Sequence, residues 1–228
     1  MWSRIGFLGI LAYFHVGAGL LLKNRAVNDA PLVIVDVYYE ALCPDSVDFI
    51  VKQLYPTMQS IGHIANVSLI PYGFATETFV DGQWVFKCQH GPKECKANII
   101  QSCAIHFLDP GPGSYLHRVK DTVPKEIEFV NCMESSEDPS TAGPKCAKKQ
   151  RIKYGPISAC AKGSEGNYLQ HIMAQKTEAL NPQPGFIPWI NFNGAHTEAN
   201  QDRALQDLTG LVCDLYTGEK PSQCKKEI

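Results

Sequence analysis

The spacing of apolar positions changes several times along the chain, and each change marks an element. Val33 to Tyr39, VIVDVYY, is a β-branched and aromatic run of strand length, with Pro31 before it and Cys43-Pro44 after it. Val47, Ile50, Val51, Leu54 and Met58 then recur at helical spacing, with Tyr55 beside them, and predict a helix over 46–58. A second strand is expected over 66–72, and 79–86 reads as a hairpin about Asp81-Gly82. From Pro92 the period becomes helical again, with Cys95, Ile99, Ile100, Cys103 and Phe107 on one face. Two more helices are expected, over 115–133, split or kinked by Pro124, and over 157–177. Between them 134–149 is rich in Ser, Pro, Gly and charge and reads as a loop. The stretch Phe186 to Phe192 leads into an Asn193-Gly194 hairpin turn, and a last helix spans 201–216.

The order is β-α-β, a helical block, then β-β-α. It predicts an α/β protein with a thioredoxin-like fold carrying a helical insertion at about 90–180. Ahead of it, Arg4 precedes an apolar run from Ile5 to Leu22 that contains the small residues Val16-Gly17-Ala18-Gly19, the pattern of a secretory signal peptide. The expected organisation is a signal peptide at 1–19, a linker at 20–30, the domain at 31–216 and a tail at 217–228. A formal net charge of −2 with scattered basic residues gives no footprint for nucleic acid. The short basic cluster from Lys145 to Lys153 reads as solvated loop, and no membrane association is expected after signal cleavage.

Nine cysteines fit an oxidising compartment, and their odd number leaves at least one thiol over. Cys43 stands at a strand-to-helix junction, where unpaired backbone N–H groups and the helix dipole favour an anion, so it is the candidate nucleophile; the other reading is one more disulfide partner. One helical turn on, where a dithiol site places its resolving cysteine, stands Ser46. Its hydroxyl either donates to the Cys43 thiolate or is simply a small polar group in a first turn, while Asp45 sets a like charge nearby. Pro188 is the second site candidate, since a proline ahead of a strand in such a sheet can be cis and face the cysteine. Cys88, Cys95, Cys103 and His90 invite a zinc reading, but their spacing does not match the short ligand pairs of structural zinc sites, and no metal is expected. Cys88, Cys95, Cys103, Cys132, Cys146, Cys160, Cys213 and Cys224 remain as disulfide candidates in many possible connectivities, with a local Cys213–Cys224 pair suggested by proximity. Asn66-Val67-Ser68 is a glycosylation acceptor sequence at Asn66.

The stretch CQHGPKECKANIIQSC, residues 88–103, matches C-Q-H-G-x-x-E-C-x-x-N-x-x-x-x-C at every fixed position, and so resembles the gamma-interferon-inducible lysosomal thiol reductase (GILT) family. YYEALCP before it and the IPWI-x-F-N-G stretch after it are also similar to that family. The resemblance implies a thioredoxin-like fold, a lysosomal or secreted location, and reduction of disulfide-containing protein substrates. It makes Cys43 the attacking cysteine and Pro188 the proline beside it. Ser46 departs from the pattern, because the family's reductases carry a cysteine there. No bound cofactor is expected. Turnover then requires an outside thiol, cysteine or glutathione, to resolve a mixed disulfide at Cys43. The alternative is a catalytically impaired binding or chaperone-like protein that holds its clients.

Overall fold

A computed structural model describes residues 30–109, 111 and 122–225. The expected signal peptide, nearly all of the linker and the start of the helix expected from 115 lie outside the described residues. Strand β1 (Val33–Tyr39) forms the centre of a three-stranded sheet in the order β2-β1-β5. It pairs in parallel with β2 (Ala65–Pro71), Val33 opposite Ala65, and antiparallel with β5 (Trp189–Phe192), Tyr38 opposite Trp189. Parallel neighbours need a crossover, and here it is helical: α1 (Pro44–Phe49), a π-helical stretch (Ile50–Leu54) and α2 (Tyr55–Ile61). Pro44 opens α1 at a position where its missing N–H costs nothing. Pro56 in the first turn of α2 has no N–H for the preceding ladder, and the π-helical stretch ends just before it.

One core lies between this sheet and the helices against it, built from Val35, Val37, Ile50, Leu54, Leu69, Ile190, Leu208 and Leu211, all at most 4 % exposed. β5 is buried at all four positions, as expected of a strand covered on both faces. The last helix, α8, runs from Glu198 to Leu215, capped by Thr197, whose side chain accepts from Asn200 N–H, and is bent at the non-helical Asp207. The hairpin of β3 (Thr76–Val80) and β4 (Gln83–Lys87) turns through Asp81 and Gly82, both at positive φ. Trp84 of β4 stacks on His171 at 3.9 Å.

The insertion has its own small core. Helices α3 (Pro92–Leu108), α4 (Lys125–Glu134), α5 (Pro139–Gln150), α6 (Tyr154–Lys162) and α7 (Ser164–Glu178) follow one another. Ile100, Phe129, Met133, Ala142, Ala147 and Ile157 are buried among the first four, together with the half-cystines Cys103, Cys146 and Cys160. Disulfides Cys103–Cys160 and Cys132–Cys146 staple this cluster, Cys88–Cys95 ties the end of β4 to α3, and Cys213–Cys224 closes the tail onto α8. So few apolar residues form a marginal core unaided, and cross-links are the usual remedy.

Three expectations need correction. Residues 139–150 are a helix, not a loop. Asp138 caps it by accepting from Ser140 N–H, Pro139 starts it, and Gly143 is there for close approach: a Cβ on it would lie 2.6 Å from the Tyr154 hydroxyl. The helix expected over 157–177 is two, broken at Gly163, whose extended backbone ends α6 and begins α7. The Asn193-Gly194 turn is present, with both residues at positive φ, but its second strand shrinks to a single bridge between Phe192 and Ala195 before α8 starts.

Candidate active site

β1 delivers the chain to the site, and the first turn of α1 carries it away. Cys43 is the N-cap of α1, with extended backbone (φ −71°, ψ 121°) and a carbonyl that accepts from Val47 N–H at 3.0 Å. It is partly exposed and is the free cysteine of the nine, the other eight being paired. Its Sγ lies 3.7 Å from the carbonyl oxygen of Ile187, and the Ile187–Pro188 peptide bond is cis. Cys43 and Pro188, far apart in sequence, are therefore neighbours. Pro188 is held from behind by the buried Gln201, whose Nε2 donates to the Pro188 carbonyl at 3.0 Å while its Oε1 accepts from Ile190 N–H at 3.0 Å.

Ser46 is fully buried. Its Oγ accepts from Glu40 N–H at 3.4 Å and makes no hydrogen bond to Cys43 Sγ among the described residues. The hydroxyl thus braces the turn between β1 and α1 rather than the sulfur.

The residues of 88–103 fasten that same turn to α3. Asn98 Oδ1 accepts from Ala41 N–H at 3.0 Å, and Tyr39 donates its hydroxyl hydrogen to Gln101 Oε1 at 2.7 Å. Gln101 in turn donates to Glu134. Glu94 takes two hydrogen bonds from His90, one from its backbone N–H at 3.2 Å and one from Nδ1 at 2.5 Å. Glu40, the residue after β1, accepts from Phe74 N–H at 2.6 Å with Oε1 and points Oε2 at His90 Nδ1, 3.4 Å away. Gly73 leaves room for this, since its φ is +62° and a Cβ there would sit 2.2 Å from Glu40 Cγ.

Burial raises the Glu40 carboxyl to about 7, helped by neighbouring Glu94 and opposed by Phe74 N–H and His90. Burial also pushes Glu134 up to about 8, against the hydrogen bond from Gln101 and with Glu94 adding to the rise. Glu40, His90 and Glu94 also form the one group among the described residues whose donor atoms lie close enough, within 4.8 Å, to hold a metal ion. His90 and Glu94 are hydrogen-bonded to each other, while Glu40 Oε2, 3.4 Å from His90 Nδ1, has no hydrogen-bond partner among the described residues. The cysteines weighed for zinc are unavailable, because Cys88 is bonded to Cys95 and Cys103 to Cys160.

Among the residues singled out from the sequence, Cys43, Ser46 and Pro188 meet at one end of the sheet. Asn66 is half-buried on the edge strand β2, opposite Ile34, with Ser68 exposed two residues on. Glu40, Asn98 and Gln201 were not singled out as part of the site. Asn98 lies in the 88–103 stretch and Glu40 in YYEALCP, so both were visible as motif residues without a role. Nothing marked Gln201, a glutamine in an amphipathic helix.

A model of the family described as Gamma interferon inducible lysosomal thiol reductase (GILT) matches residues 34–150. "Gamma-interferon-inducible lysosomal thiol reductase" of Carassius auratus is 39% identical over 208 residues, covering 90% of this chain and 77% of that one. The Mus musculus protein of the same name is 35% identical over 212 residues, covering 90% and 76%. Among solved structures, a putative protein disulfide isomerase from Nitrosomonas europaea aligns over 73% of this chain and 87% of its own, with a TM-score of 0.47 and 10% identity. That likeness is too distant to carry an argument. The thioredoxin-type assignment rests on the strand order, the helical crossover and the cis proline beside the N-cap cysteine. Family model and relatives agree over most of the sequence, and the chain belongs to the gamma-interferon-inducible lysosomal thiol reductase family.

Proposed function

We propose that the protein reduces disulfide bonds of proteins, with Cys43 as its single nucleophile and an outside thiol completing the cycle. The observation that carries this reading is the position of one unpaired cysteine at a helix N-terminus, 3.7 Å from the carbonyl that precedes cis Pro188. Relatives named thiol reductases support the reaction class.

The Cys43 thiolate attacks one sulfur of the client disulfide. A bond forms between Sγ and that sulfur, and the second client sulfur leaves as a thiolate and takes up a proton. A small thiol such as cysteine or glutathione then attacks Sγ of the mixed disulfide and releases the other client thiol. A second molecule of small thiol frees Cys43 and leaves as the small-molecule disulfide. One client disulfide and two small thiols become two client thiols and one small disulfide. Ser46 has no part in the electron flow and keeps the turn in shape through Glu40 N–H.

Four disulfides suit the lysosome or the extracellular space, the compartments we propose, with Asn66 as a glycosylation site. No helix among the described residues is long and apolar enough to cross a membrane. The absence of a thiol at position 46 favours a second reading, a protein that captures clients at Cys43 or beside it and holds them.

The test is reduction of a disulfide-bonded protein by excess cysteine at acidic and neutral pH, comparing wild type, Cys43→Ala and Ser46→Cys. The proposal expects wild type to exceed Cys43→Ala and Ser46→Cys to exceed both. A wild type no faster than Cys43→Ala at either pH removes the enzyme reading.

A further inference from the structure

Beside Cys43 and Pro188 lies an open groove of about 470 Å³ between α1 and the first turns of α8. Its rim is acidic, with Asp45 and Asp48 on the α1 side and Glu198 and Asp202 on the α8 side. Among the described residues the one basic side chain on the rim, Lys52, is paired with Asp48 at 2.8 Å. All four carboxylates are solvent-exposed, and Asp45 and Asp202 have no hydrogen bond or ion pair to their side chains among the described residues. Glu198 has only the His196 ring, 3.8 Å away. An acidic residue in a first helical turn is ordinary helix chemistry, and that accounts for Asp45 and Glu198. It does not account for Asp202, and Asp48, already held in the i,i+4 pair with Lys52, completes the ring. The groove is not purely polar, because Phe186 and Leu205 line it while 37% and 41% exposed.

Resting on the reading of Cys43 as the attacking thiol, we infer that this groove selects client polypeptides with a lysine or arginine close to the half-cystine under attack. The occupant is an extended client segment. Its sulfur meets Cys43, its basic side chain lies between Asp45 and Asp202, and an apolar neighbour covers Phe186 and Leu205. Convergent like charges around a low-dielectric floor concentrate a cationic partner and repel an acidic one. The long aliphatic stem of a lysine or arginine suits a site that is apolar below and anionic above.

The binding arm of the test does not depend on turnover. A fluorescent peptide with serine in place of its cysteine, flanked by arginine, is titrated by anisotropy at neutral pH against full-length Cys43→Ser protein. Matched peptides carry glutamate at the same places, or arginine moved ten residues away. The inference expects the arginine-flanked peptide to bind about tenfold tighter than either, as two or three exposed ion pairs would give. That preference shrinks at high salt and in Asp45→Asn/Asp202→Asn. Equal binding of the three peptides, or a preference unchanged by both salt and the substitutions, overturns it. In the catalytic arm the corresponding disulfide-linked peptides are reduced by wild type in excess cysteine, and the arginine-flanked one is expected to be fastest. Selective binding with no reduction above Cys43→Ala would leave the groove assignment standing and remove the enzyme reading instead.

Discussion

Replacing Glu40 by glutamine should flatten the dependence of stability on pH. Glu40 is fully buried, and its carboxyl is raised from an ordinary 4.5 to about 7 in the fold. The groups facing it are Glu94 and His90, both on the segment that begins α3, and the Phe74 N–H from the loop after β2. Because the folded state keeps this proton to a higher pH than the unfolded chain, it binds more protons between the two values. The stability this proton contributes is therefore fully present below 4.5, falls as pH rises through the window, and is gone above about 7. A rise from 4.5 to about 7 corresponds to about 3 kcal/mol at 1.36 per unit, most of it falling between pH ~5 and ~8. Glutamine keeps an oxygen for Phe74 N–H and removes the titration. Urea denaturation followed by tryptophan fluorescence, at several pH values across that range, measures the slope. The variant should lose ~2–3 kcal/mol less than wild type on going from pH ~5 to ~8, whatever its absolute stability. Glu126, at about 7, and Glu134, at about 8, continue to titrate in both proteins. Identical slopes for the two would mean that Glu40 does not hold a proton in the fold beyond its ordinary range.

Three other substitutions test how the site is supported. Asn98→Ala leaves the Ala41 N–H without its buried acceptor, so it should cost ~1–3 kcal/mol in denaturation and slow or scatter alkylation of Cys43. Cys103→Ala/Cys160→Ala opens a loop spanning 57 residues, and should cost ~4 kcal/mol, with hydrogen exchange rising in the helical block before the sheet. Gly143→Ala puts a methyl against Tyr154 and should lower the melting temperature, whereas a true loop at 139–150 would tolerate it.

The sheet and its crossover were legible in the sequence because each is a strong local pattern. VIVDVYY can hardly be anything but a buried strand, and Asp81-Gly82 hardly anything but a tight hairpin. The helix at 139–150 was not, because PSTAGPKCAKKQ has loop composition. What makes it helical is partly a short local start, Asp138 as cap with Pro139 in the first turn, and partly tertiary, the Cys132–Cys146 staple and the space for Tyr154 beside Gly143. At the site, Cys43 and Pro188 could be named from residue type and context, since a cysteine at a strand–helix junction and a proline before a strand are conspicuous. The role of Ser46 could not, because the partner of its hydroxyl, Glu40 N–H, is fixed only when the turn closes. Likewise the asparagine at 98 reveals what it holds only when α3 lies against the end of β1.

Turnover by a single cysteine requires that Cys43 pass through a mixed disulfide that a small thiol clears. Intact-mass analysis of acid-quenched samples, taken while the protein reduces a disulfide substrate in limiting cysteine, reads this directly. The expected result is an adduct on Cys43 that rises as the thiol runs low and disappears when thiol is restored, with substrate reduction resuming in step. Substrate reduced while Cys43 stays unmodified, or an adduct that persists in excess thiol, would contradict it.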